Sequence, residues 1–118
     1  MKILATDMDG TFLDHLGAYD KARLDKLLDA CEAKDYVFTV ASGRALLALE
    51  ELFDGFVDRI AIIAENGALV QYKGEVLFES KLDPKDYLEI ADTTLALPTC
   101  EGILLSGRRG AYAPEDAD

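Results

Sequence analysis

Three short apolar runs, Lys2 to Met8, Tyr36 to Ala41 and Arg59 to Ala64, alternate with two stretches of helical spacing. Each run is too short for a helix and nearly continuous in apolar residues, which predicts a strand buried on both faces. Between the first two, Leu24, Leu27, Leu28 and Cys31 recur at i, i+3, i+4 and i+7 from Asp20 to about Lys34. That spacing predicts an amphipathic helix, with Asp20 able to cap its first turn. Between the second and third, Leu46, Leu49, Leu52 and Phe53 predict another helix over Arg44 to Phe53. Strand, helix, strand, helix, strand with short joints predicts an α/β fold with a right-handed parallel sheet.

After Ala64 the pattern changes. Ala68 to Tyr72 and Glu75 to Glu79 flank Lys73-Gly74, which predicts a β-hairpin. Asp83-Pro84 reads as an N-cap followed by proline at the first helical position, opening a helix to about Leu97. Gly102 to Leu105 and Ala111 to Ala113 read as short strands around the turn Gly107-Arg108-Arg109-Gly110. The change of pattern places a boundary near residues 80–84, dividing the chain into residues 1–82 and 83–118.

Charge and composition narrow the function classes. Acidic residues outnumber basic ones 23 to 12 over the 118 residues, for a net charge of −11. Nucleic acid and anionic membranes select the opposite balance, so neither is an expected partner. No apolar run approaches the roughly 18 residues of a membrane helix, and an acid as early as Asp7 does not suit a signal peptide. A cytoplasmic protein is expected. Cys31 and Cys100 match no metal-ligand spacing and read as plain thiols. A single histidine, His15, excludes a site built from several imidazoles.

The segment that carries chemistry is Asp7-Met8-Asp9-Gly10-Thr11-Phe12-Leu13-Asp14. Two carboxylates two residues apart at a strand end are expected to face the same side, at the carboxyl edge where open parallel sheets bind ligands. Like charges this close need a neutralising cation, and a hard divalent ion such as Mg²⁺ takes oxygen ligands. One neutralised carboxylate can then attack an electrophile while the other carries a proton. An EF-hand loop is excluded, because its glycine and glutamate positions hold Phe12 and Ala18. Ala41-Ser42-Gly43-Arg44 follows the second strand and offers a hydroxyl, a glycine and a helix N-terminus to an anion; the plainer reading of Ser42 is an N-cap. Gly-x-Ser-x-Gly, Gly-x-Gly-x-x-Gly and P-loop patterns are all absent.

Asp-Met-Asp-Gly-Thr-Phe-Leu-Asp resembles the first motif of the haloacid-dehalogenase superfamily of phosphohydrolases, and Ala-Ser-Gly-Arg resembles its second. Glu65-Asn66-Gly67-Ala68 is similar to the Cof-type subfamily, whose members hydrolyse small phosphorylated metabolites such as sugar phosphates. The resemblance implies a Rossmann-like α/β core followed by an α+β cap domain. It implies that Asp7 is the nucleophile that becomes an aspartyl phosphate and that Asp9 is the acid and base. Mg²⁺ would be held at Asp7 and Asp9, phosphate at Thr11, Ser42 and Gly43, with Arg44 and Asn66 on the substrate side or structural. For Asn66-Gly67 the plainer reading is a turn.

The 34 residues between Asp7 and Ser42 leave no room for a cap there, so a cap is expected after the third strand, with residues 83–118 as its opening. The resemblance also implies a late lysine and a Gly-Asp-x-x-Asn-Asp acidic pair, and neither pattern occurs; Glu115, Asp116 and Asp118 read as a solvated end. The expectation is an N-terminal portion of a larger enzyme, inactive by itself. Its first strand would be an exposed apolar edge prone to self-association. The alternative is a non-catalytic α/β module binding phosphate or a protein, of which a phosphoacceptor receiver domain is a weaker form.

Overall fold

The computed structural model describes residues 1–113. Two compact units divide at Glu79 and Ser80. The first holds a five-stranded sheet in the order β1 (Lys2–Thr6), β2 (Tyr36–Ala41), β3 (Ala61–Ala64), β4 (Leu69–Tyr72), β5 (Glu75–Glu79). β1, β2 and β3 run parallel, while β4 and β5 return antiparallel, so the hairpin extends the parallel sheet into a mixed one. Lys73 and Gly74 join the last two strands with φ of 49° and 83°. Positive values at both centres give the tight hairpin turn that glycine favours.

α1 (Lys21–Ala33) packs on β2 and α2 (Leu46–Leu52) on β3. The Asp20 side chain accepts a hydrogen bond from the Arg23 N–H at 3.1 Å, the cap expected at that position. Leu24, Leu28 and Cys31 from α1 and Leu46, Leu49 and Phe53 from the α2 region close over Phe38, Val40, Ile62, Ala64 and Leu69 of the sheet. Thr39 is buried as well. Both cysteines are free thiols, Cys31 within the core.

Three expectations need correction. β1 is not buried on both faces but is the exposed apolar edge that the missing neighbour implied: Ile3 is 70% and Leu4 43% exposed. β1 has a strand on one side only, and the helices pack chiefly on β2 and β3. α2 begins at Leu46 rather than Arg44, because Ser42 to Ala45 form an irregular loop with Ala45 as N-cap. β3 begins at Ala61 rather than Arg59, which instead ends a 3-10 turn, Val57–Arg59.

Arg59 has a role that hydropathy does not reveal. Its guanidinium donates to Glu32 through Nε at 2.8 Å, to Asp25 through Nη1 at 2.7 Å and to Asp29 through Nη2 at 2.8 Å. Those acids lie one above another on α1, so one cation ties the helix to the entrance of β3. Together the three acids raise the Arg59 pKa, chiefly through the bond to Glu32.

The second unit begins at Ser80 and holds α3 (Pro84–Leu95), then β6 (Leu105–Gly107) paired antiparallel with β7 (Gly110–Tyr112). Asp83 caps α3 by accepting from the Lys85 N–H at 2.9 Å, and proline takes the first turn, where no donor is needed. The reading of Glu115, Asp116 and Asp118 as a solvated end lies outside the described residues.

Candidate active site

Because β1, β2 and β3 run parallel with Thr6 beside Val40 and Val40 beside Ile62, the loops that follow them leave one edge of the sheet. Those loops carry the seven residues singled out in the sequence. This edge is where open parallel sheets hold ligands.

The first loop, Met8–Phe12, is a tight bend immediately beyond β1. Asp9 (φ −69°, ψ 121°) and Gly10 (φ 77°, ψ 1°) take the two central positions of a type II turn. The second of these needs a left-handed residue, which is what Gly10 provides. The Phe12 N–H donates to the Asp7 carbonyl at 3.3 Å and the Leu13 N–H to the Met8 carbonyl at 3.0 Å. Met8 and Leu13 are buried and anchor the bend. The Phe12 ring lies 5.2 Å from Tyr19, whose hydroxyl donates to the Leu52 carbonyl at 2.7 Å. Burial pushes the Tyr19 phenol up. With its flanks fixed this way, the bend leaves Asp7, Asp9 and Thr11 exposed. Asp14 ties its own loop, accepting from the Leu16 and Ala18 N–H groups at 2.8 and 3.0 Å.

The second loop is Ser42 to Ala45. Ser42 is buried, and its Oγ accepts from the Arg44 N–H at 3.0 Å. Its hydroxyl hydrogen is a donor in addition to that accepted bond. The expected helix N-terminus at Ser42 is not there, and neither is the N-cap role, since the helix starts four residues later.

The third loop, Glu65–Gly67, is bound to the second. The Glu65 N–H donates to the Arg44 carbonyl at 3.0 Å and the Asn66 N–H to the Ser42 carbonyl at 3.1 Å. In the opposite sense, the Ser42 N–H donates to the Ile63 carbonyl at 2.9 Å. Asn66 therefore belongs to more than a plain turn. Its side-chain Oδ1 would stand 2.9 Å from a Cβ at Gly43, so a side chain at position 43 would have to displace the Asn66 amide.

The contact that joins the first loop to the second is a two-pronged ion pair. Arg44 donates to Asp9 Oδ1 through Nη2 at 2.6 Å and to Oδ2 through Nε at 3.1 Å. A planar guanidinium matches a carboxylate in this manner and fixes its orientation. The bond from Arg44 holds the Asp9 carboxyl below its usual range, and Asp9 raises Arg44 in return. One earlier expectation changes: strand alternation does not set the directions of Asp7 and Asp9, since both lie beyond Thr6, where β1 ends. Asp9 also has a cation of the chain's own beside it, the Arg44 guanidinium, a partner that sequence spacing did not reveal.

Mg²⁺ takes oxygen ligands, commonly one or two carboxylates completed by substrate phosphate and water. Asp7 and the Asp9 main chain offer donors of that kind. Among the described residues no cluster of three or more His, Cys, Asp or Glu side chains is arranged to hold a metal. The oxygen donors of Asp7 and Asp9 fit Mg²⁺ in kind. Among the described residues, no helix is long and apolar enough to cross a membrane.

Residues 4–118 match the family described as haloacid dehalogenase-like hydrolase. Over all 118 residues the chain is 31% identical to the 5-amino-6-(5-phospho-D-ribitylamino)uracil phosphatase YbjI of Escherichia coli (strain K12), covering 43% of that protein. The crystal structure of SMU.1108c from Streptococcus mutans UA159 superimposes with a TM-score of 0.88 and 32% identity, over 99% of this chain and 44% of that one. The subclass IIB sugar phosphatase BT4131 shares the fold at a TM-score of 0.65 and 22% identity, over 96% of this chain and 44% of its own. The chain thus spans less than half the length of these relatives.

Proposed function

This chain belongs to the haloacid dehalogenase-like hydrolase family, and on that premise we propose that the whole protein is a Mg²⁺-dependent phosphatase of small phosphorylated metabolites. Residues 1–82 would supply the first half of its core and residues 83–118 the opening of an α+β cap. The observation that carries the reading is the Arg44–Asp9 fork on an exposed turn that also bears Asp7.

In this proposal an Asp7 carboxylate oxygen attacks phosphorus and the bond to the leaving oxygen breaks. Asp9 gives its proton to that oxygen. Water then attacks the aspartyl phosphate, Asp9 takes the water's proton, and phosphate leaves Asp7 regenerated. The Arg44 bond lowers the Asp9 pKa, which favours the proton-accepting role of the second step. The Ser42 hydroxyl and Thr11, with the Gly43 main chain, would hold the phosphoryl oxygens. Arg44 stands on the substrate side, and Asn66 takes the structural role behind it. A Mg²⁺ at Asp7 and Asp9 would offset the charge between carboxylate and phosphate.

For the chain by itself we propose a narrower role, binding of phosphate without turnover. Self-association through the exposed β1 edge belongs to the same proposal. Phosphate release from p-nitrophenyl phosphate with Mg²⁺ tests the enzyme reading. The whole protein should turn over and Asp7→Asn should abolish it; full activity in Asp7→Asn would remove Asp7 as nucleophile.

A further inference from the structure

Glu65, Asn66 and Gly67 form three successive left-handed residues, with φ of 53°, 56° and 99°. Side chains with a Cβ rarely adopt this region, and asparagine tolerates it better than most. Strain of this kind persists only where surrounding contacts hold it, and it gathers at sites that use it. Here the strained tract presents two consecutive N–H groups, those of Glu65 and Asn66, to the carbonyls of Arg44 and Ser42. It also lays the Asn66 amide over Gly43, closely enough that a Cβ there would displace it. Gly43 is the residue between the two carbonyls, so Ser42, Gly43 and Arg44 are all held from one side. Arg44 leaves that loop to grip both oxygens of Asp9.

We propose that Asn66 is a positioning residue: its left-handed backbone and its amide over Gly43 set the Ser42–Arg44 loop so that the guanidinium meets Asp9. This rests on the phosphatase reading for its consequence in catalysis, and on geometry alone for the contact. Asn66 acts through Arg44 and touches no reacting atom. Loss of Asn66 lets the second loop relax, Arg44 leaves Asp9, and the carboxyl loses its fixed aim. Substrate affinity, set elsewhere, stays.

Two measurements on the whole protein test this. In the first, nitrogen-15 NMR follows the Arg44 Nε–H, which the Asp9 bond shifts and protects from exchange. Asn66→Ala should move it to the free-guanidinium position, and Asn66→Asp, which keeps shape and left-handed tolerance, should retain it. In the second, p-nitrophenyl phosphate turnover with Mg²⁺ should show Asn66→Ala lowering kcat about tenfold, ~1.4 kcal/mol in the barrier, with KM within about twofold. Gly43→Ala should cause a similar loss alone and little further loss in an Asn66→Gly background, because the side chain it meets has gone. An unmoved Nε–H, a loss confined to KM, or independent multiplying effects of positions 43 and 66 would each overturn the proposal. A wild type that releases no phosphate would sink the phosphatase reading, and the NMR result would still decide the positioning role.

Discussion

Replacing Arg59 by methionine removes the clamp on α1 while keeping most of the apolar stem. Each of its three nitrogens serves a different acid at 2.7 to 2.8 Å, and those acids are 56 to 68% exposed. Ion pairs in that environment are worth roughly 0.2–1 kcal/mol each after solvent screening, so three contribute about 1–2 kcal/mol. Methionine also leaves Asp25, Asp29 and Glu32 stacked at i, i+4 and i+7 with no cation between them. Like charges at such spacing cost roughly 0.2–0.5 kcal/mol per adjacent pair. The total is about 1.5–2.5 kcal/mol, which in a domain of this size lowers the melting temperature by roughly 6–15 °C. Urea and thermal unfolding of parent and Arg59→Met give the difference directly. It should shrink as salt rises toward 1 M, where the screening length falls to about 3 Å. A difference under about 0.5 kcal/mol, or one indifferent to salt, would show that the three bonds do not stabilise the fold in the way described.

Removing the other fork, with Arg44→Gln, should raise the Asp9 pKa toward the ordinary aspartate value of 3.8, from which the Arg44 bond lowers it. A group whose folded pKa is depressed adds stability that is present above its unfolded pKa and is lost as pH falls through the folded one. The stability gap between parent and variant should therefore be constant near neutrality and close in acid, and identical Asp9 midpoints by carbon-13 NMR would refute the pairing. The exposed β1 edge should make the purified chain associate with concentration in ultracentrifugation; a monodisperse monomer at high concentration would rule that out.

Much of the architecture was legible because its signals are local. Asp20 and Asp83 stand where caps must stand, and Lys73-Gly74 supplies the backbone a two-residue hairpin demands. Hydropathy alone misread β1 as buried, since the run around Ile3 and Leu4 looks the same at a sheet's edge as at its centre; only the missing neighbour strand marked it as an edge. Asp25, Asp29 and Glu32 read as an ordinary solvated helix face; only folding brings Arg59 across them. In the site, the residue types were readable and their pairings were not. Arg44 meets Asp9 across 35 residues through strand topology, a relation no spacing rule contains. The N-cap reading of Ser42 failed for a related reason, because the third loop claims the Ser42 carbonyl and delays the helix.

The mixed sheet has a consequence for the order in which the protein can be assembled. β3, β4 and β5 follow one another as a meander within residues 61–79, joined by one tight turn and one short bend. Pairing β1 with β2 sets Lys2 beside Tyr36, and so requires a loop containing all of α1 to close first. Closure entropy is spent before such distant contacts return anything, so the antiparallel end is cheap to form and the parallel end is slow. The three loops of the candidate site face one another only after both crossovers have closed. Chemistry at this edge is therefore available only to a chain that has finished the most entropically demanding part of its folding.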